Sequence, residues 1–253
     1  MTRVALVSIA ACFALSVSAC SGGHKGTTIV NGETPDGGDA GGPVVNGDQV
    51  TQRGIIVDYD TKKPVKGATI TAAGQTVVSD VTGAYQLVVD KGQPFTMEVS
   101  MEGYAKLIEQ ETTIDADFDK GKTSFIATPT ANLLLGTLDG YDATLGVLSV
   151  QLIPTGACAS EDGATITVSP AGAALVKYLY AGIPSSRKGA VVAGQFPSAV
   201  VYNVQPGASV TVGATVANCT VAPFPITKDG VTYTGGITTE AGSSTSFERV
   251  FLQ

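Results

Sequence analysis

Residues 61–72 read Thr-Lys-Lys-Pro-Val-Lys-Gly-Ala-Thr-Ile-Thr-Ala, and residues 79–87 read Ser-Asp-Val-Thr-Gly-Ala-Tyr-Gln-Leu. In the first stretch a turn containing proline leads into alternating polar and apolar residues, the period of a half-buried β-strand. In the second, Asp80 is suited to accept backbone N–H bonds and Gly83 to supply the positive φ of a tight turn. Both stretches predict antiparallel strands joined by short turns.

Similar runs recur on either side of this segment. The predicted strands cover residues 53–59, 67–72, 76–80, 85–89, 95–100 and 104–108. A spacing of about 8–12 residues between strands is typical of an antiparallel sandwich. We therefore predict an all-β fold, with an antiparallel β-sandwich over residues 50–128.

The combined pattern resembles the carboxypeptidase regulatory-like domain, a family with a transthyretin-like (prealbumin-like) sandwich. The matching positions are Gly54, Val57, Thr61, Pro64, Val65, Gly67, Ala68, Ile70, Ser79, Asp80, Gly83, Tyr85, Leu87, Gly103 and Tyr104. The resemblance covers essentially all of residues 51–128. It implies a sandwich fold but little about activity, because such modules serve as accessory, spacer or binding units on many exported proteins.

A second copy of this pattern is predicted over residues 130–253. Residues 163–167 repeat the Gly-Ala-Thr-Ile-Thr of residues 67–71, and Tyr202 with the strand after it parallels Tyr85. The region is longer because of an insertion around residues 178–195. Residues 174–180 are too apolar to show a period, so a short helix is an alternative there. We expect two sandwiches in tandem, the second diverged.

The start of the chain is typical of a bacterial lipoprotein. A short basic region precedes the apolar residues 4–17, and Val17-Ser-Ala-Cys20 resembles a lipobox. Fourteen residues reach roughly 21 Å along a helix, less than the ~30 Å hydrocarbon core, so a permanent span is not predicted. We predict a signal peptide over residues 1–19 and lipidation at Cys20; cleavage without lipidation is the alternative. By resemblance to proteobacterial sorting rules, Ser21 implies the outer membrane, with the periplasmic or surface face left open.

Residues 20–49 are predicted to be a flexible, Gly/Asp-rich tether. Nine of these 30 residues are glycine, and few are apolar. Such a segment buries too little apolar surface to offset the entropy of ordering it. Asp36, Asp39 and Asp48 suggest calcium, but they lack the regular spacing of a binding loop.

Two cysteines remain once the leader is placed. Cys12 leaves with the signal peptide and Cys20 carries lipid, so Cys158 and Cys219 are free to pair. In an exported protein we predict a disulfide between them. A metal pair is the alternative, but it needs further ligands, and the only histidine, His24, lies in the tether.

The chain is poor in catalytic chemistry. A hydrolase needs a nucleophile or a metal-bound water with a base, and a lone histidine in the tether argues against both. Residues 185–188 match Ser-x-x-Lys, yet Gly182 and Pro184 indicate a loop instead of the helix that motif needs. A net charge of −7 also argues against nucleic-acid binding. We predict a protein that is not an enzyme, with no cofactor, metal or nucleic-acid partner.

Three further groups are candidates for binding. Asp115, Asp117 and Asp119 offer oxygens to calcium, but the interpretation we favour is one acidic face of a strand, opposite its apolar neighbours. The tyrosines at 178, 180, 202 and 233 suggest an aromatic platform, although core positions are expected. The inserted loop over residues 182–194, with Arg187 and Lys188, is the preferred contact surface, because binding residues usually lie on loops of a rigid scaffold.

These observations predict a membrane-anchored envelope lipoprotein that acts as a non-enzymatic binding, adhesion or scaffolding module. Its expected partners are the membrane, through the lipid on Cys20, and a protein or glycan of the envelope. The alternative is an accessory subunit that positions substrate for a separate envelope enzyme or transporter.

Overall fold

The computed structural model describes residues 47–242 and 245–253. The predicted signal peptide, Cys20 and most of the predicted tether lie outside these residues, so they stay predictions. The described residues belong to one compact unit, Pro43–Gln253. We call residues 49–125 the first lobe of this unit and residues 146–252 the second lobe.

The first lobe consists of short strands followed by one helix. The strands are β1 (Gln49–Asp58), β2 (Thr69–Ala72), β3 (Gln75–Val78), β4 (Ala84–Asp90), β5 (Glu98–Ser100), β6 (Leu107–Glu109), β7 (Thr112–Ile114) and β8 (Phe118–Phe125). Helix α1 (Thr128–Leu135) leads out of it, with Pro129 in its first turn and Gly136 at its C-cap.

The second lobe continues the β pattern. Its strands are β9 (Gly146–Pro154), β10 (Thr165–Ser169), β11 (Leu175–Tyr180), β12 (Ile183–Ser185), β13 (Ala199–Val204), β14 (Ser209–Thr215), β15 (Ile226–Lys228), β16 (Val231–Tyr233), β17 (Ile237–Thr238) and β18 (Thr245–Leu252). The predicted all-β sandwich fold is confirmed. The helix considered for residues 174–180 is wrong, because that segment pairs with β13 as β11.

Each lobe buries its own apolar core between two sheets. In the first lobe the core includes Ile56, Ile70 and Leu87, drawn from β1, β2 and β4. In the second it includes Leu148 and Val250, from β9 and β18. The alternation that predicted the strands places these side chains on the inner faces.

The strand pairing of the first lobe is repeated in the second. Strand β1 pairs antiparallel with β4 and parallel with β8, and β9 pairs antiparallel with β13 and parallel with β18. Likewise β2 pairs antiparallel with β5, and β10 with β14. The two Gly-Ala-Thr-Ile-Thr segments thus enter corresponding strands, which supports the interpretation of the second lobe as a diverged copy.

The lobes are joined by backbone pairing. Strand β18 pairs in parallel with β6, so one nine-stranded sheet runs in the order β12-β11-β13-β9-β18-β6-β5-β2-β3. Strand β16 pairs with β7, and Val231 from β16 is buried in the first-lobe core. Two independent domains would contact each other through side chains, whereas these lobes share a sheet and a core residue.

Candidate functional site: a cavity between the lobes and an exposed hairpin

A cavity of about 200 Å³ lies where the two lobes meet. One wall is the face of the β9–β18 sheet that points away from the second-lobe core, because Val147 and Arg249 line the cavity while the alternate residues Leu148 and Val250 fill that core. The opposite wall comes from β8 and α1. The joining of the lobes therefore creates the cavity.

Most of the cavity wall is apolar. Leu134, Leu135 and Leu138 line it from α1 and the turn after it, and Val147 and Phe247 face them from the sheet. Leu135 and Leu138 also pack with Val147 in a small third cluster of buried residues. Helix α1 is thus held against the sheet by apolar contacts and covers part of the cavity.

Charged side chains also line the cavity. The described residues lining it include four charged side chains, Glu109 from β6, Lys120 and Lys122 from β8, and Arg249 from β18. Lys120 Nζ donates a hydrogen bond to Glu109 Oε2, and Arg249 Nη1 lies 3.8 Å from the same oxygen. The Arg249 guanidinium also lies over the Phe247 ring, 4.8 Å from its centroid. Three strands therefore bring together a charged group within an apolar wall.

The electrostatics of this group are set by burial and by mutual attraction. Burial alone would raise the pKa of Glu109, but the charges and hydrogen bonds of Lys120 and Arg249 outweigh it and hold that pKa below its usual range. Burial lowers the pKa of Lys120, and Glu109 opposes this. Counted as formal charges, the three cations and one carboxylate of the lining give a net charge of +2.

A second feature, the hairpin patch, consists of Tyr180, Ile183, Arg187 and Lys188. It lies on the β11–β12 hairpin and the residues after it, and β12 is an edge strand of the nine-stranded sheet. Tyr180 and Ile183 are 54% and 53% exposed. Lys188 Nζ lies 4.6 Å from the centroid of the Tyr180 ring. The patch thus combines exposed apolar surface with two cations.

The hairpin is built by a tight turn. Ala181 and Gly182 both have positive φ, 52° and 75°, which is the type I′ geometry that matches the twist of two-residue hairpins. The Gly182 backbone N–H donates to Gln195 Oε1 at 3.0 Å, so the following loop braces the turn. Gly182 also lines the cavity between the lobes. The hairpin patch and the cavity are therefore neighbours.

The predicted contact loop over residues 182–194 thus lies beside the cavity. Its first residues form β12 and the hairpin patch, and Arg187 and Lys188 line a shallow depression with Tyr180 and Ile183. Ser185 accepts a hydrogen bond from the Arg187 backbone. The role of the loop over residues 182–194 in binding remains a prediction.

The tyrosines do not form a common platform. Tyr178 is buried and its hydroxyl accepts a hydrogen bond from the Ile166 N–H at 3.0 Å, and buried Tyr202 donates to the Asp139 carbonyl at 3.0 Å. The Tyr233 ring packs at a tilt of 49° against the Phe251 ring, with 5.0 Å between their centroids. These three occupy core or half-buried positions, and Tyr180 is the member of the group with its ring in solvent.

The acidic segment is not the strand face that we predicted. Asp115 and Asp117 lie in the bend between β7 and β8, and only Asp119 lies in a strand. Asp117 Oδ1 accepts a hydrogen bond from the Thr51 N–H at 2.8 Å, so one carboxylate fixes the bend against β1. Among residues 47–242 and 245–253, no group of three or more His, Cys, Asp or Glu side chains is placed to hold a metal ion.

The predicted pair of cysteines is joined in the structure. Cys158 and Cys219 form a disulfide with a Cα–Cα distance of 5.2 Å, and Cys158 is buried in the second-lobe core. The bond links the segment after β9 to the segment after β14. In the described part of the chain, no helix is long and apolar enough to cross a membrane.

No protein-family model matches the chain, and no curated protein sequence matches it, so the resemblance to the carboxypeptidase regulatory-like domain stays a prediction. Among solved structures, the Bacillus anthracis TIE protein is 11% identical over 81% of this chain and 34% of its own, with a TM-score of 0.26. A streptococcal ancillary pilin is 10% identical over 83% of this chain and 64% of its own, also at 0.26.

A shaft pilin, SpaA from Lactobacillus rhamnosus GG, is 9% identical over 81% of this chain and 98% of its own, with a TM-score of 0.25. The chain spans about a third of the Bacillus anthracis protein and less than two thirds of the streptococcal pilin. At such low TM-scores these likenesses carry no argument about function.

Proposed function

We propose that this chain is a non-enzymatic binding, adhesion or scaffolding module of the cell envelope, held to the outer membrane by lipid on Cys20. The observation that carries the proposal is the hairpin patch, an exposed apolar and cationic surface on a braced hairpin. Exposed apolar surface next to polar side chains marks interaction sites on soluble domains. Aromatic residues and arginine are enriched at such interfaces.

The scaffold suits a contact role because it holds the patch rigidly. The type I′ turn and the Gln195 contact fix the hairpin, and the disulfide ties down segments of the same lobe. A fixed surface loses little conformational entropy when a partner binds. We therefore expect recognition without large rearrangement of the patch.

The charges of the patch indicate the chemistry of its partner. Arg187 and Lys188 are cations on a chain whose net charge is −7. A partner with acidic groups beside an apolar or sugar surface complements them, and the Tyr180 ring offers a stacking face. This description fits an envelope protein or an acidic glycan.

The test compares binding of the chain and of a patch variant to isolated envelope material. The variant carries Tyr180→Ser and Ile183→Ser, and Leu133→Ser on α1 is the control, since Leu133 is 72% exposed and lies outside the patch. We expect the double variant to lose at least tenfold in binding and the control to match the unaltered chain. Equal binding by all three would overturn the proposed surface.

A companion experiment addresses location. Protease is added to intact and to lysed cells, and residues 50–253 are then detected. Loss of the folded region from intact cells supports adhesion at the surface, and protection until lysis supports a periplasmic scaffold. Stable co-purification with one stoichiometric enzyme or transporter would favour the accessory-subunit alternative.

A further inference from the structure

We propose that the cavity between the lobes binds a small amphipathic carboxylate, with its head at Lys120, Lys122 and Arg249 and its apolar body against the leucines of α1. The site is separate from the hairpin patch and does not depend on the function proposed for that patch. The size, the lining and the charge of the cavity favour such a ligand.

The volume sets the size of the ligand. A dry apolar cavity of about 150 Å³ holds benzene, with six carbons. By proportion, the cavity of about 200 Å³ holds about eight non-hydrogen atoms. Hexanoate has this number, six carbons and two oxygens. Because the cavity is partly open to solvent, a slightly longer chain has an exit.

The charges of the lining favour an anion. Glu109 neutralises one of the three cations, so the wall keeps a charge of +2 within a chain whose net charge is −7. The side chains of Lys120 and Arg249 are only 15% and 24% exposed, so water screens them less than at an open surface. A carboxylate head therefore gains more here than a hydroxyl, and an ammonium head is repelled.

The apolar wall favours a hydrocarbon body. Leu134, Val147 and Phe247 line the cavity, whose wall is mostly apolar. Ser149 and Thr245 are polar members of the same sheet wall. A hydrocarbon body displaces water from this mostly apolar wall and buries its own apolar surface there. Burying two further methylenes strengthens binding about tenfold, so hexanoate is expected to bind about tenfold more tightly than butanoate.

The first measurement is calorimetric titration of the full-length chain with hexanoate, butanoate, hexanol and hexylamine. We expect one hexanoate per chain, butanoate and hexanol each about tenfold weaker, and no binding of hexylamine. Hexanol binding as tightly as hexanoate would overturn the role of the cations. Absence of hexanoate binding at millimolar concentration would overturn the site.

A matched pair of variants places the ligand. Leu134→Trp fills the cavity from α1, whereas Leu133→Trp adds the same ring one residue earlier, on the exposed side. Hexanoate binding should fall at least tenfold in the first variant and stay unchanged in the second. Equal affinities in the two variants would place the ligand elsewhere, including on the apolar start of the chain.

Substitutions of the cations complete the test. Arg249→Gln is expected to weaken hexanoate about tenfold and to leave hexanol unchanged. Should that variant fail to fold, Lys122→Gln removes an exposed cation of the same wall, and we expect a threefold loss confined to the carboxylate. Equal loss for hexanoate and hexanol in either folded variant would contradict recognition of the head group.

Discussion

The backbone N–H of Arg249 donates a hydrogen bond to Oε1 of Gln110 at 3.0 Å, across 139 residues of sequence. The amide of the same side chain donates to the Thr234 carbonyl at 2.9 Å. The Gln110 backbone N–H reaches the Phe247 carbonyl at 3.0 Å, and the residue is 1% exposed. One buried glutamine thus connects the first lobe to two separate segments of the second.

Replacing Gln110 should lower the stability of the whole unit formed by the two lobes. Gln110→Ala leaves the partly buried Arg249 N–H and Thr234 carbonyl without this partner, which costs about 1–3 kcal/mol for each group. We expect the free energy of unfolding to fall by about 3 kcal/mol in chemical denaturation. Gln93→Ala, at an exposed position, is the control and should change it little. A loss below 0.5 kcal/mol would show that the link is not structural.

Glu248 makes stability depend on pH. Its side chain is fully buried in β18, neither oxygen is in hydrogen-bonding geometry, and only the Gly236 backbone partly stabilises its charge. Burial raises the pKa of Glu248 to about 8 from an ordinary value of 4.5. Between these values the folded state keeps a proton that the unfolded state releases. The contribution of Glu248 to the free energy of unfolding is therefore present in full below pH 4.5. It is lost progressively as pH rises from 4.5 through 8, by at most about 1.4 kcal/mol per pH unit.

The variant Glu248→Gln should remove this dependence. An amide has nearly the shape of the protonated acid and carries no charge at any pH, so its stability curve between pH 5 and 8 should be flatter. The measurement is denaturation at several pH values, with exposed Glu102→Gln as the control. Parallel curves for Glu248→Gln and the unaltered chain would mean that the buried carboxyl does not titrate in this range.

The disulfide should stabilise both lobes. Its two cysteines are 61 residues apart, and closing such a loop stabilises a fold by roughly 4 kcal/mol in the chain-entropy view. Because β16 contributes Val231 to the first-lobe core, we expect the loss in a Cys158→Ala/Cys219→Ala variant to reach β1 as well as β9. Hydrogen exchange on both strands measures this. Faster exchange confined to β9 would show that the lobes unfold independently.

The hairpin turn offers a stabilising substitution. Ala181 has a φ of 52°, a conformation that costs alanine energy and that asparagine tolerates better. Ala181→Asn, which gives the Asn-Gly pair preferred in type I′ turns, should raise the free energy of unfolding by about 0.5–1 kcal/mol. Exposed Ala193 lies outside the positive-φ positions, so Ala193→Asn should give no gain. Equal thermal midpoints for the two variants would contradict the turn assignment.

The local sequence pattern predicts much of the fold. Alternation and turn residues predict β1 to β6 because the signal for each of these strands lies within its own residues. The disulfide between Cys158 and Cys219 is predicted because they are the two cysteines left after the predicted leader and lipidation site are assigned. The acidic bend at Asp117 was missed because its partner, the Thr51 N–H, lies 66 residues away. Residues 175–180 are too apolar to show a period, so their sequence does not distinguish a strand from a helix. Pairing with β13 makes them a strand.

The cavity could not be predicted from local sequence pattern, because the residues that line it are distant in sequence. Glu109, Lys120 and Arg249 lie on three strands and look like ordinary strand charges in the sequence. Only the parallel pairing of β6 with β18 brings Glu109 beside Arg249. One signal was present, a glutamate and an arginine placed within apolar strand segments, but nothing in the sequence pairs them with each other.

The position of β18 in the sheet sets the order in which this chain can mature. Strand β18 follows the other described strands in sequence, yet it lies between β9 and β6 in the middle of the nine-stranded sheet. During synthesis, earlier strands emerge without the neighbour that joins them, and contacts between distant segments form slowly. The sheet that joins the two lobes is therefore completed only after β18 has been made, so β1–β17 alone cannot form the joined unit.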